Sequence, residues 1–128
     1  MNLCDCYVSL HRSEGLGLTI AEAMLLGKPV IATGYSGNLD FMTSETGYLV
    51  PWTKVPVGEG AEAYDSRAMW AEPDLGEAAR LMRQVFENPH EAHRRAEMGR
   101  QDLRNRFSPE VTGRVMRARL EEIWRSFE

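Results

Sequence analysis

Two short apolar runs with one helix-period segment between them decide what this chain can fold into. Residues 4–10 (CDCYVSL) and 29–33 (PVIAT) read as strands buried on both faces, the second β-branched with Pro29 at its first position. Between them, residues 18–26 (LTIAEAMLL) have helical periodicity and stop at Gly27, a residue suited to the left-handed conformation that closes helices. A turn over residues 34–37 leads into a short helix near 38–42, and residues 48–50, held between Gly47 and Pro51, form a third strand. Strand, helix, strand, helix, strand with tight loops is the pattern of a doubly wound parallel sheet.

Residues 52–73 break the pattern with Pro and Gly clusters and no period, and are expected to form a long loop, either a lid or an insertion. The chain then turns helical. Asp74 with Glu77 makes a capping-box pattern, and Leu75, Ala78, Ala79, Met82, Val85 and Phe86 form an apolar stripe. Asn88-Pro89 restarts a helix that runs to about Arg106. Ser108-Pro109-Glu110 starts another, whose apolar face holds Val111, Val115, Met116, Leu120, Ile123, Trp124 and Phe127. The expected fold class is α/β: a partial doubly wound, Rossmann-like parallel sheet followed by C-terminal helices. It forms a single incomplete domain over residues 1–128, divided as 1–51, 52–73 and 74–128. Three strands are few for such a sheet, so the domain is expected to be truncated before residue 4. Its open edge and the last helix are expected to make the isolated chain self-associate.

Composition excludes several classes. Net charge is −4, which offers nucleic acid no basic field. The charge is uneven: residues 1–89 hold 6 Lys/Arg against 12 Asp/Glu, and residues 90–128 hold 9 against 7, as solvated helical faces do. Cys4 and Cys6 are the only cysteines, and two apart on a strand they read as reduced thiols. No apolar run approaches the roughly 20 residues a membrane span needs, and no signal peptide is read at the start. The expected location is cytoplasmic, or peripheral to a membrane in a full-length protein.

The informative stretch is residues 13–27, SEGLGLTIAEAMLLG. It starts at the C-terminal end of an expected strand, where open α/β sheets place their ligands. Gly15 and Gly17 let a backbone come close to a ligand and lead into a helix N-terminus, whose free N–H groups and partial positive charge seat phosphate. Glu22 lies on an otherwise apolar helix on the same face as Thr19, its only polar companion. A buried carboxylate there needs a partner. A vicinal diol such as ribose is one candidate; a backbone N–H or the Arg12 guanidinium is the other, with about equal weight. Glu14, on the loop eight residues earlier, is placed for another part of the same ligand. Both carboxylates are expected at the C-terminal edge of the sheet, Glu22 mostly buried and Glu14 more exposed. Neither a dinucleotide fingerprint nor a P-loop is present: Ile20 stands where the third Gly belongs, and Gly27-Lys28 is followed by Pro29.

Residues 8–51 (VSLHRSEGLGLTIAEAMLLGKPVIATGYSGNLDFMTSETGYLVP) closely resemble the C-terminal domain of family 4 glycosyltransferases of the GT-B fold. The Glu-x7-Glu motif stands as Glu14 and Glu22, and the EAM-x-x-GKPVIAT and SGN pieces match in order and spacing. The segment WAEPDLGEAARLMRQVF also resembles the family. The resemblance implies that Glu14 binds donor-sugar hydroxyls as the catalytic carboxylate. It implies that the amides of Gly15, Leu16, Gly17 and Leu18 meet sugar and diphosphate, that Thr19 touches phosphate and that Glu22 holds the ribose diol. It also implies transfer with retention from a nucleotide diphosphate sugar, without cofactor and without metal at the phosphates. The family's basic pair and N-terminal acceptor domain are not found here, so the chain alone is expected to be inactive.

Lesser candidates are weaker. His11, before the motif, reads more readily as a capping or core-edge residue than as a functional one. Ser36, Gly37 and Asn38 follow a second strand's C-terminal end and are candidate secondary contacts. His90 and His93 lack partners at ligand spacing, so no metal site is expected. Trp52, Trp70 and Trp124 read as packing residues, with Trp70 left open. The alternative function is a non-catalytic nucleotide-sugar-binding or interaction module of the same fold.

Overall fold

The computed structural model describes residues 3–61 and 63–127. Three strands, β1 (Tyr7–Ser9), β2 (Val30–Thr33) and β3 (Tyr48–Val50), form a parallel sheet in the order β1-β2-β3. Helix α1 (Leu18–Leu25) joins the first pair, and a 3₁₀ turn (Gly37–Asp40) joins the second. The register pairs Val8 with Ile31 and Ala32 with Leu49. β2 is buried at all four positions because it is paired on both sides and covered on both faces. Its alternating side chains feed two cores. Val30 and Ala32 pack with Ile20, Ala23 and Met24 of α1, while Ile31 packs with Ala78, Leu81 and Val85 of α2 (Leu75–Glu87). Helix α3 (Pro89–Phe107) serves both, with Ala92 in the second core and Leu103 in the first.

The α/β class and the parallel sheet with C-terminal helices hold. Gly27 adopts the left-handed cap (φ 68°), Asp74 accepts from the Glu77 N–H at 2.9 Å, and Ser108 accepts from the Val111 N–H at 3.3 Å. The first strand is shorter than residues 4–10 and only half-buried, because β1 is an edge strand among the described residues. On α2 the buried residues are Ala78, Leu81 and Val85, whereas Leu75, Met82 and Phe86 are exposed. The helix turns one residue away from the expected stripe because Ile31 and Tyr48 receive Leu81. Neither Cys4 nor Cys6 is in a disulfide, and burial, with Cys4 adding to it, raises the Cys6 thiol to about 11, so it stays protonated near neutrality.

Residues 52–73 are not the expected unstructured loop. They hold an antiparallel hairpin, β4 (Trp52–Pro56) and β5 (Met69–Pro73), and the described residues between the strands, 57–61 and 63–68, are loop. The Pro and Gly punctuation that masks a strand period is concentrated at the ends and tip, while Thr53 and Val55 supply the β-branched positions between.

Helix α3 crosses α1 closely at Gly99, where a Cβ would lie 2.8 Å from Met24 Cε and 2.9 Å from the Thr46 carbonyl. Helix propensity favours Ala over Gly by about 1 kcal/mol, while overpacking against backbone costs about 1–3 kcal/mol. Gly99→Ala should therefore lower the melting temperature; an unchanged or higher value would show that the crossing relaxes freely. The final helix, α4 (Pro109–Arg125), has no buried residue, and Val115, Leu120 and Trp124 are 65%, 64% and 73% exposed. Such a face needs a cover. Light scattering is expected to show the isolated chain above 14.5 kDa at high concentration, and a clean monomer would refute this.

Candidate functional site

Two loops emerge at the C-terminal edge of adjacent parallel strands: residues 10–17 after β1, and residues 34–36 after β2. They are tied together at Glu14 by one backbone–side-chain and one backbone–backbone hydrogen bond. The Glu14 N–H donates to Ser36 Oγ at 2.9 Å, and the Gly37 N–H donates to the Glu14 carbonyl at 3.1 Å. Gly37 has no room for a side chain, since a Cβ would collide with the Gly15 carbonyl. Ser36 has φ 67°, the only positive φ at a non-glycine among the described residues, so the second loop is held in a strained conformation where it meets the first.

Gly17 caps α1 with φ 87° and ψ 46°, a conformation that favours glycine, and no side chain caps the helix. No acidic residue lies in its first turn. The N–H groups of Leu18, Thr19 and Ile20 begin the helix with the positive end of its dipole, which is the arrangement that seats an anion. Thr19 Oγ1 accepts from the Tyr7 hydroxyl at 2.9 Å. Leu16 and Leu18 are exposed and open into a groove of about 330 Å³ that runs past Ala21, Leu25, Phe41 and Phe107.

The carboxylates are not placed as the sequence suggested. Glu14 is half-buried and Glu22 is exposed, the reverse of the expected order. The cause is the orientation of α1. Ile20, Ala23 and Met24 turn to the core, and Glu22 shares the outer face with Leu18 and Leu25, both exposed. With no buried charge to satisfy, Glu22 needs no partner on energetic grounds. Arg12, the alternative partner, pairs elsewhere: Nη2 lies 2.7 Å from Glu72 Oε2.

The secondary candidates divide. His11 bridges the two loops, with Nε2 3.0 Å from the Tyr35 carbonyl and Nδ1 3.1 Å from Ser9 Oγ. A carbonyl only accepts, so Nε2 carries a proton and donates it to Tyr35. Asn38 is fully buried beneath the loops, its Nδ2 donating to the Thr33 carbonyl at 3.0 Å, which makes it a support rather than a contact surface. Ser36 and Gly37 stand on the edge itself.

Sequence reasoning missed the hairpin's part in this edge. The Ala71 N–H donates to the Arg12 carbonyl at 2.9 Å, and the Arg12 guanidinium sits 4.8 Å over the Trp70 ring. Trp52 Nε1 donates to the Gly34 carbonyl at 2.6 Å, and its ring lies 4.6 Å from that of Tyr35. The only signal in the sequence was Trp70 beside an aperiodic stretch.

Two glycines separate packing from access. Gly37→Ala should destabilise the protein by about 1–3 kcal/mol by forcing the loops apart, whereas Gly15→Ala, whose Cβ would meet nothing within 4 Å, should leave stability unchanged. Thermal unfolding of the two variants checks this, and equal effects would contradict the packing of the loops.

Among the described residues no three His, Cys, Asp or Glu side chains cluster to hold a metal ion, and no helix is long and apolar enough to cross a membrane. No curated protein matches the chain. Residues 1–55 match the family model of glycosyl transferases group 1, a stretch that takes in the whole parallel sheet and both edge loops, and this supports a general role in glycosyl transfer.

Proposed function

We propose that this chain carries part of the donor site of a family 4, retaining glycosyltransferase of the GT-B fold, one that uses a nucleotide diphosphate sugar. The observation that carries the reading is the uncapped N-terminus of α1, opened by left-handed Gly17 at the C-terminal edge of a parallel sheet whose residues match a glycosyltransferase family. The diphosphate sits against the amides of Gly15, Leu16, Gly17 and Leu18, with Thr19 at a phosphate oxygen. Glu14 accepts from sugar hydroxyls, and Glu22 from the ribose diol. In transfer, the anomeric carbon–phosphate oxygen bond breaks, an acceptor oxygen bonds to that carbon, and the acceptor's proton leaves with the diphosphate. No metal is invoked at the phosphates.

The chain by itself is proposed to bind without transferring. Departure of a diphosphate needs its charge stabilised, typically the largest single contribution. Arg12, the guanidinium next to the motif loop, is engaged by Glu72 and Trp70. The exposure of Glu22 counts against a closed ribose pocket formed by this chain alone. Both observations favour a partner domain that supplies cations and the acceptor, or, as the second reading, a binding module with no transfer activity.

A screen of nucleotide sugars for binding and transfer by the full-length protein tests the proposal. Glu14→Ala and Glu22→Ala should each weaken binding or transfer by about 10- to 100-fold, the worth of a charged hydrogen bond of about 1.5–3 kcal/mol, with the fold intact. Full activity in both variants would refute the assignment, and binding without transfer would select the second reading.

A further inference from the structure

The β4–β5 hairpin leaves the domain and returns to it at one point. The Asp74 N–H donates to the Pro51 carbonyl at 2.8 Å, so the residues on either side of the excursion are in direct contact. β4 and β5 pair with each other, in a sheet separate from the parallel one. Neither strand contributes to the two cores that surround β2. Ala71 of β5 is fully buried, but outside both of those cores.

What the hairpin does touch is the ligand edge, and at both loops. On the first it fixes Arg12 three ways: the Ala71 N–H on the Arg12 carbonyl, Glu72 on the guanidinium, and Trp70 beneath it. On the second, Trp52 holds the Gly34 carbonyl and packs on Tyr35. Tyr35 in turn gives its carbonyl to His11, so the grips on the two loops are joined. Arg12 is two residues from Glu14, and Gly34 is two residues from Ser36, the side chain that receives the Glu14 N–H. The phosphate-seating end of α1 is anchored differently, by Gly17 and by the Tyr7–Thr19 hydrogen bond, with no hairpin residue among the described ones involved.

From this we infer that the hairpin is a clamp that sets the sugar end of the donor site, with Arg12 and Trp52 as positioning residues and Glu14 as the group they place. The inference rests on the donor-site reading. It goes further in assigning sugar discrimination to the hairpin and leaving nucleotide affinity to α1. Arg12 and Trp52 act through the backbone of residues 11–14 and 34–36, and neither needs to touch the ligand.

The test uses the complete chain with Arg12→Met, Trp52→Phe and a variant in which two glycines replace residues 52–73. Hydrogen exchange is read at the amides of Glu14 and Gly37, with Ile31 and Ala32 of the central strand as internal controls. Both point variants should speed exchange at Glu14 and Gly37 by about tenfold or more while the control amides stay protected, since local opening is separable from global unfolding. Affinities for UDP, GDP, UDP-glucose, UDP-galactose and GDP-mannose are measured in parallel. The free nucleotides should bind each variant within about twofold of the parent, whereas the preference among sugars should fall by about tenfold, or about 1.4 kcal/mol. Unchanged exchange at Glu14 and Gly37 overturns the clamp. Equal losses for nucleotide and nucleotide sugar overturn the division of labour. Loss of the control amides in Trp52→Phe would show that the hairpin is part of the fold after all. If exchange responds as expected but the parent chain binds none of the five compounds, the clamp stands as a property of the loops and the donor reading is what fails.

Discussion

Burial of the central strand is the constraint on which everything else depends. β2 has a parallel neighbour on each side and a helical cover on each face, and none of its four residues reaches solvent. Parallel pairing aligns the C-terminal ends of β1 and β2, so the loops that follow them emerge side by side. Alternation along β2 divides the interior in two, one core under α1 and one under α2, and α3 spans both. A polar residue at Ile31 or Ala32 would therefore disturb the sheet and the candidate site together.

The edge itself is built mostly from backbone. Glu14, Gly37 and Gly34 are held through their own main-chain groups, with Ser36 Oγ and Trp52 Nε1 among the partners, and Gly37 is required only because the neighbouring carbonyl leaves no space for a Cβ. Backbone amides at a helix N-terminus carry their dipole into any complex without reorganising, which suits recognition of a phosphate group. Side chains then refine what the main chain presents. His11 bridges the two loops through its hydrogen bond to the Tyr35 carbonyl, and Asn38 ties the 3₁₀ turn to the end of β2.

Away from this edge the molecule is less consolidated. α4 contacts α3 and fully buries none of its apolar residues, and a cleft of about 550 Å³ lies open between β1, β2, α2 and α3, lined by Val8, Ile31, Val85 and Phe86 among others. Local ion pairs decorate the outer helical faces, but exposed pairs of this kind contribute little to stability. Arg95 is an exception in reach: it links Glu91 on α3 to the Ser44 carbonyl and lies over Tyr48, joining the helix to the turn before β3. Glu91, held well below the usual carboxylate range at about 2 by Arg94 and then Arg95, favours the folded state above its ordinary pKa and loses that effect as the pH falls toward 2.

Local signals in the sequence determined the parallel order of strand and helix, the left-handed cap at Gly27, the starts of α2 and α4 at Asp74 and Ser108, and the glycine loop at residues 13–17 that leads into α1. Each is a matter of a few neighbouring residues, where periodicity, capping and turn chemistry act directly on the backbone. Only the tertiary structure decided which face of a helix is buried and what a distant residue touches. Glu22 lies on an apolar helix, yet it is exposed because the core takes Ile20, Ala23 and Met24 and leaves the opposite face to solvent. Arg12 faces Glu72 across 60 residues, and Trp52 reaches Gly34, because a hairpin concealed by its Pro and Gly content folds back over both loops. Those pairings follow from the register of strands and the rotation of helices against a shared core, which no window of neighbouring residues encodes.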